Sequence, residues 1–373
     1  MSNGNANSEC RAQALPSGTV SSRTPVRIRT AWRPDTSRKD DRESEPCFVR
    51  IEATGKRADG SDWCFREERP SIPGQCVEFL VPTDEVEGVL SYRAGWWRDG
   101  REVDCRFGSV RVLACETTAL PWFQTLWIEP LGFMEDGVPF PPDRMETLLR
   151  AYRKLGVENL VLTYVEMIYI GIGAIYPTGI PELQLHANPF PYDFVDTLLA
   201  AADACALNVF VGLGRGDDLQ LLWEGLDDPD RIRRQVDYGR TLAGELWSRY
   251  AHHDSFYGWY LAHEADDLPR ANRYYNPMAS HLHALAPEKP VLIAPAGNPV
   301  VSPAILAETE ADILAYQDAV GSGYMPNVNT WNQENRIAML HECYRRYREA
   351  HVGARQAIWT DLEIWKMDGP QYR

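Results

Sequence analysis

Two rhythms of apolar and polar residues divide the chain. From about Pro25 to Cys115 the apolar positions alternate in short runs. Examples are Cys47-Phe48-Val49-Arg50-Ile51-Glu52-Ala53, Cys76-Val77-Glu78-Phe79-Leu80-Val81 and Phe107 to Leu113. A period of two places one face of each run in a core and the other in water. Turn-forming clusters such as Ala58-Asp59-Gly60 and Arg98-Asp99-Gly100 separate the runs. Short alternating runs between turn signals predict a small antiparallel β-sandwich.

After Thr117 the rhythm changes to apolar runs alternating with helical periodicity. Trp127-Ile128 opens the series. Asp143 to Leu155 follows, with Met145, Leu148, Leu149, Tyr152 and Leu155 on one helical face. Predicted strands continue at Asn159 to Tyr164, Val209 to Leu213, Tyr257 to Leu261, Val291 to Ala294, Ile313 to Tyr316 and Gln356 to Trp359. Each strand after the first is preceded by helical sequence, for example from about Asp193, from Asp230 to Tyr250, from Asn276 to Leu285 and from Gln333 to Ala350. Strict alternation implies parallel strands joined by right-handed crossovers. Strands this apolar must be covered on both faces. The expected fold class is therefore α/β, a TIM-type (β/α) barrel lacking the eighth unit, preceded by the β-sandwich. No Gly-rich phosphate loop follows the first strand, which lowers a doubly wound sheet. The units stop shortly after the seventh strand, which suggests a truncated product or fragment, or closure by some other segment. Met1 to Arg23, rich in Ser, Asn and Gly, reads as a disordered tail. The expected boundaries are 1–23 for the tail, 24–117 for the sandwich as accessory domain and 118–373 for the barrel as catalytic domain.

Composition narrows the partners more than the chemistry. The net charge of −15 argues against nucleic acid and anionic membranes, which need a basic footprint. No apolar run approaches the ~20 residues of a membrane span, and no apolar signal-peptide core is visible at the start. Cys47, Cys64, Cys76, Cys105 and Cys115 crowd one stretch, consistent either with disulfides of an exported domain or with buried thiols. C-x-x-C spacing is absent, so structural zinc is not expected. Compartment and oligomeric state are left open. No cofactor is expected.

The predicted strand ends carry the candidate chemistry. In TIM barrels the site forms at the C-terminal ends of strands. Here those ends hold Glu129, Tyr164 and Glu166, then Gly214-Arg215, His263-Glu264 with Asp266-Asp267, Gln317-Asp318, and Asp361-Leu362-Glu363. One such acid is usually a solvated loop residue. Several acids converging on one rim repel each other, a cost that chemistry or ligand binding explains better than packing. Glycoside hydrolysis needs two carboxyl groups flanking the glycosidic bond. Strands four and seven face each other across a barrel mouth, so Glu264 is the expected acid/base and Glu363 the expected nucleophile. Glu129, Tyr164, Glu166, His263, Asp266, Tyr316, Gln317, Asp318 and Trp365 are the expected substrate-binding residues. Aromatic faces among them suit sugar rings.

Three stretches resemble a known family. They are Tyr250-Ala251-His252-His253-Asp254-Ser255-Phe256-Tyr257-Gly258-Trp259-Tyr260-Leu261 running on to Glu264, Asp312 to Gly321, and Ile358-Trp359-Thr360-Asp361-Leu362-Glu363. Together they are similar to a group of barrel domains related to glycoside hydrolases, catalogued as domain of unknown function 4434. The likeness runs from about Phe123 to Lys366. That group is distantly like the retaining barrel hydrolases of clan A, which carry an Asn-Glu pair ending strand four and a Glu ending strand seven. Glu264 and Glu363 fit those places, whereas His263 stands where the clan has Asn. The resemblance implies a hydrolase acting on carbohydrate, without naming the sugar.

Two rival readings remain. One is a non-catalytic carbohydrate-binding barrel that keeps the acids for hydrogen bonds. The other is metal-dependent hydrolysis. His281-Leu282-His283 falls inside a helix, and His252-His253 sits in the turn before strand four, at the wrong end for a catalytic ligand set. No catalytic metal is expected.

Overall fold

The computed structural model describes residues 9–22, 24–33, 47–114, 124–216, 218, 221–296, 299–318 and 333–362. The chain forms two compact units: Met1–Gln124 with His283–Lys289, and Thr125–Leu282 with Pro290–Arg373.

Among the described residues the first unit contains eight strands: β1 (Glu9–Leu15), β2 (Gly18–Ser21), β3 (Val26–Arg33), β4 (Cys47–Lys56), β5 (Asp62–Ser71), β6 (Cys76–Val81), β7 (Glu87–Arg98) and β8 (Arg101–Leu113). They make a three-stranded sheet, β1-β3-β6, and a five-stranded sheet, β2-β8-β7-β4-β5. Alternation explains the burial. On β4, Val49, Ile51 and Ala53 are fully buried while Phe48 is 43% exposed. One core cluster joins Ile28, Trp32, Phe79 and Val81 to Ile51, Leu90, Trp96 and Val112, residues of both sheets. Burying side chains of this size contributes roughly 1.5–3 kcal/mol each.

Two expectations are corrected here. Residues 9–21 are not a disordered tail: β1 pairs antiparallel with β3 along its length, and β2 joins β8. The polar composition hid a short alternation, Cys10 and Ala14 facing inward, with Arg11 and Gln13 half-buried between them. The unit is also not purely antiparallel, because β2 runs parallel to β8. Cys64, Cys105, Cys205 and Cys343 carry free thiols.

The second unit is mixed α/β. Its main elements are β9 (Thr125–Ile128), α1 (Pro142–Lys154), β10 (Asn159–Leu162), α2 (Phe194–Cys205), β11 (Asn208–Leu213), α3 (Pro229–Tyr250), β12 (Phe256–Leu261), α4 (Leu268–Leu285), β13 (Val291–Ile293), α5 (Pro303–Ala307), β14 (Ile313–Gln317), α6 (Gln333–Ala350) and β15 (Ala357–Asp361), with short turns and ribbons between them. The strands form one curled parallel sheet in the order β15-β14-β13-β12-β11-β10-β9. Among the described residues β9 and β15 are its two edges. Burial is two-sided: every residue of β10, β12 and β13 is buried.

Local chemistry sets the helix starts. The Asp193 carboxylate accepts from Asp196 N to cap α2. Asp228 caps α3 through Asp230 N and Arg231 N, with Pro229 opening the helix. Such caps contribute about 1 kcal/mol each. Leu155, expected on the inward face of α1, is 76% exposed because it closes the helix instead. Gly212 on β11 is required by closeness: a Cβ there would lie 2.2 Å from the carbonyl oxygens of Leu162 and Thr163.

Candidate active site

Two-sided burial leaves the inner strands no exposed face, so polar side chains stand just past their C-terminal ends. After β10 the chain passes Tyr164 and enters a bulged ribbon in which Glu166 pairs with Ala174. The Glu166 carboxylate is fully buried and accepts from Ile168 N at 2.9 Å and Gly216 N at 2.8 Å. Burial raises its pKa, and the two amide bonds counter only part of that. The carboxylate occupies the space beside Gly214, where a Cβ would stand 1.6 Å from Oε1. Glu166 thus braces the loop after β11.

That loop delivers Arg215. Its Nε donates to Ala262 O at 2.7 Å, and its Nη2 donates to Glu264 Oε1 at 3.2 Å. Gln235 of α3 donates to the Arg215 carbonyl at 3.1 Å, fixing the backbone. Glu264 follows β12, and its side chain is 33% exposed, so a ligand can reach it. Tyr260 lies buried beside this ion pair, its ring edge-on to Trp127 at 4.8 Å. Burial raises the Tyr260 pKa, with Glu264, Asp361 and Tyr164 close enough to act on it. Tyr164 is also buried and shifted upward by burial, and it neighbours Tyr169, Glu129 and Arg215.

Arg215 is thus paired with Glu264, and Tyr164, Tyr260, Glu129 and Asp361 are near enough to act on one another electrostatically. Arg215, Tyr260 and Asp361 were not singled out from the sequence as site residues. Arg215 and Asp361 stand at strand ends, which was their only signal.

Other expected residues are placed differently. His263 is 2% exposed, with its ring edge-on to Tyr274 of α4 at 4.9 Å. Its Nε2 donates to Asp218 O at 3.2 Å, and its Nδ1 has no partner among the described residues. Burial, aided by Arg215, lowers its pKa to about 3, so the ring is neutral. Such a side chain fills the floor behind the rim; it offers no surface to a sugar. Tyr316 is corrected more sharply. It is fully buried, stacked on Tyr347 of α6 at 4.0 Å, and its hydroxyl meets His351 Nε2 at 2.8 Å. Strand alternation turns it toward the helix, away from the rim. Gln317 is half-buried and donates weakly to Ala294 O at 3.4 Å. Asp318 is buried, its backbone N–H bound to Asp361 O at 3.0 Å. Asp266 is exposed near Arg270 at the start of α4. Glu363 and Trp365 lie outside the described residues.

The profile described as "Domain of unknown function (DUF4434)" matches residues 128–371. The chain belongs to this family. The DUF4434 region thus includes Arg215, Glu264 and Asp361. No curated protein matches the chain. Among solved structures, the DUF4434 protein is similar to a presumed alpha-L-fucosidase from Bacteroides thetaiotaomicron, at 14% identity and a TM-score of 0.48, covering 64% of this chain and 73% of that one. It is similar to a beta-D-glucuronidase from Dictyoglomus thermophilum, at 11% identity and a TM-score of 0.43, covering 95% and 53%. It is similar to a beta-galacturonidase from Eisenbergiella tayi, at 12% identity and a TM-score of 0.41, covering 96% and 56%. The chain spans little more than half the length of these last two. Among the described residues no helix is long and apolar enough to cross a membrane.

Proposed function

We propose that this protein is a glycoside hydrolase whose second unit is a TIM-type (β/α) barrel carrying the catalytic site. In this reading the first unit is an accessory β-sandwich, and the substrate is an oligo- or polysaccharide. The observation that carries the reading is the Arg215–Glu264 pair: a reachable carboxylate held by a largely buried arginine at the rim, beside Tyr164 and Tyr260. A carboxylate fixed at a strand end among phenols suits a positioned proton donor or acceptor.

Glu264 is the proposed acid/base and Glu363 the proposed nucleophile. The Glu363 carboxylate would attack the anomeric carbon while the glycosidic C–O bond breaks. Glu264 would give its proton to the departing oxygen. Water would then attack the glycosyl ester, losing a proton to Glu264 and freeing Glu363. This cycle requires the substrate to draw Oε1 of Glu264 away from Arg215, because the donor must hold a proton when the leaving group departs. Arg215 is then free to hydrogen-bond a sugar oxygen. Glu129 and Asp361 are the proposed additional contacts to sugar hydroxyls. The reading needs no cofactor.

A panel of aryl glycosides and polysaccharides tests the proposal, with release of aglycone or reducing ends as the signal. Glu264→Gln should abolish turnover and keep ligand affinity. If the wild type binds a sugar and never turns it over, the site is a carbohydrate-binding barrel instead. The anomer first released, followed by NMR, separates retention from inversion.

A further inference from the structure

A second polar cluster lies at the opposite end of β12 from Glu264. The loop between α3 and β12 carries Ala251 to Ser255, and it is latched onto α2. Tyr250 donates its hydroxyl to Asp193 Oδ2 at 2.8 Å. Ser255 N donates to Asp203 Oδ1 at 2.6 Å, and Ser255 Oγ donates to Leu199 O at 2.8 Å. The His253 ring, 7% exposed, is inserted between two aspartates of α2. Its Nδ1 lies 2.7 Å from Asp203 Oδ2, and its Nε2 lies 3.2 Å from Asp196 Oδ1. His252 lies beside it, the two rings tilted by 37° with centroids 4.1 Å apart. One ligand atom each from Asp196, His252 and His253 falls within 4.8 Å of the others.

We infer that Asp196, His252 and His253 form a Zn2+ site that pins α2 to the loop feeding β12. The argument begins with the tautomer. The Asp203 carboxylate only accepts, so Nδ1 of His253 carries the hydrogen; Asp196 also only accepts, so Nε2 either donates to it or, with that proton displaced, binds a metal beside it. That arrangement points Nε2 at Asp196 and matches the carboxylate–histidine–metal relay in which an outer acid orients a ligand. Tetrahedral zinc with bonds of about 2.0–2.2 Å sets its ligand atoms about 3.3 Å apart. The Nε2–Asp196 separation already has nearly that length. His252 is exposed, so its ring is free to swing in and close the third edge. Two imidazoles and one carboxylate suit Zn2+ over Mg2+ or Ca2+, which prefer all-oxygen sets. Asp196 has a side chain 51% exposed, which leaves a path for the ion and a fourth position for water. The site stands at the start of β12, a full strand away from Glu264, so its role is structural. Its competitor is a plain ion pair in which His253 is doubly protonated between the two acids.

The test is calorimetric titration of the chelator-treated full chain with Zn2+, with Co2+ as a spectroscopic probe. The inference expects one saturable micromolar Zn2+ per chain, a rise in melting temperature on binding, and visible Co2+ absorption of a tetrahedral centre. His252→Ala and Asp196→Asn, both at accessible positions, should fold like the wild type and weaken binding at least about 10-fold. A His283→Ala control should leave binding unchanged. Absence of one-to-one binding, or binding indifferent to both variants, overturns the inference and leaves the ion pair.

Discussion

The two units bury their strands in different ways, and the difference decides where chemistry can sit. In the first unit β4, β5, β7 and β8 each have a wet face. β5 and β7 alternate buried and exposed residues, and Val89 and Phe107 are 60% and 72% exposed. Polar residues there pair along the sheet surface, as Arg50 does with Glu68 at 2.6 Å while stacking on Trp97. Charges on such a face are ordinary solvated pairs, each contributing about 0–1 kcal/mol. In the second unit β10 to β13 have no exposed residue. Glu166, Arg215 and Glu264 stand just beyond β10, β11 and β12, where backbone amides, carbonyls and each other satisfy them. A charge in a one-sided strand therefore says little about function, and a charge just past a two-sided strand says much more.

The largest effect should come from putting a charge where only one unit tolerates it. Val211→Asp, at a fully buried position on β11, should cost about 3–5 kcal/mol or more and unfold the second unit. Val89→Asp on the wet face of β7 should stay within about 0.5 kcal/mol. Urea denaturation of both variants measures the contrast, and similar losses would break it.

Next in size are the glycines that let the loop and strand approach. Gly214→Ala would push the Glu166 carboxylate out of its place and off Gly216 N. We expect a loss of about 1–3 kcal/mol, together with weakened activity because Arg215 follows directly. Gly132→Ala, where an added Cβ meets nothing within 4 Å, serves as the neutral control. Equal stability of the two variants by thermal melting would contradict this packing.

The smallest effect is a pH slope. Burial raises the Glu166 pKa above the ordinary 4.5. Between 4.5 and the raised value, the folded protein holds a proton that the unfolded chain has lost. Stability should therefore fall as pH rises through that window. Glu166→Gln keeps an acceptor for only one of Ile168 N and Gly216 N, so it should lower stability at every pH and flatten the slope. Melting curves at several pH values check it, and an unchanged slope in the variant would assign the effect elsewhere.

Much of this was legible in the sequence because burial imposes a period. Helix α6 begins and ends where periodicity put it, and the seven parallel strands were found to within a few residues. β5, β7 and the two N-terminal strands were harder, because one-sided strands rich in Arg, Glu and Ser resemble loops. Glu264 was legible as the acid after an apolar run. Its partner was not: Arg215 reaches Glu264 across 49 positions, and no local pattern encodes that meeting. Tyr316 was misread for the same reason. Its direction depends on the phase of β14, and the run Tyr316-Gln317-Asp318 does not reveal which residue turns to the helix. The His252-His253 pair looked idle because only the fold brings Asp196 and Asp203 to it.

The most direct test of the central claim is the rate of sugar release by wild type and Glu264→Gln on whichever glycoside the panel first identifies. The account predicts a fall of about 10²–10⁴-fold in turnover with ligand affinity kept. Turnover in Glu264→Gln equal to that of the wild type would contradict it.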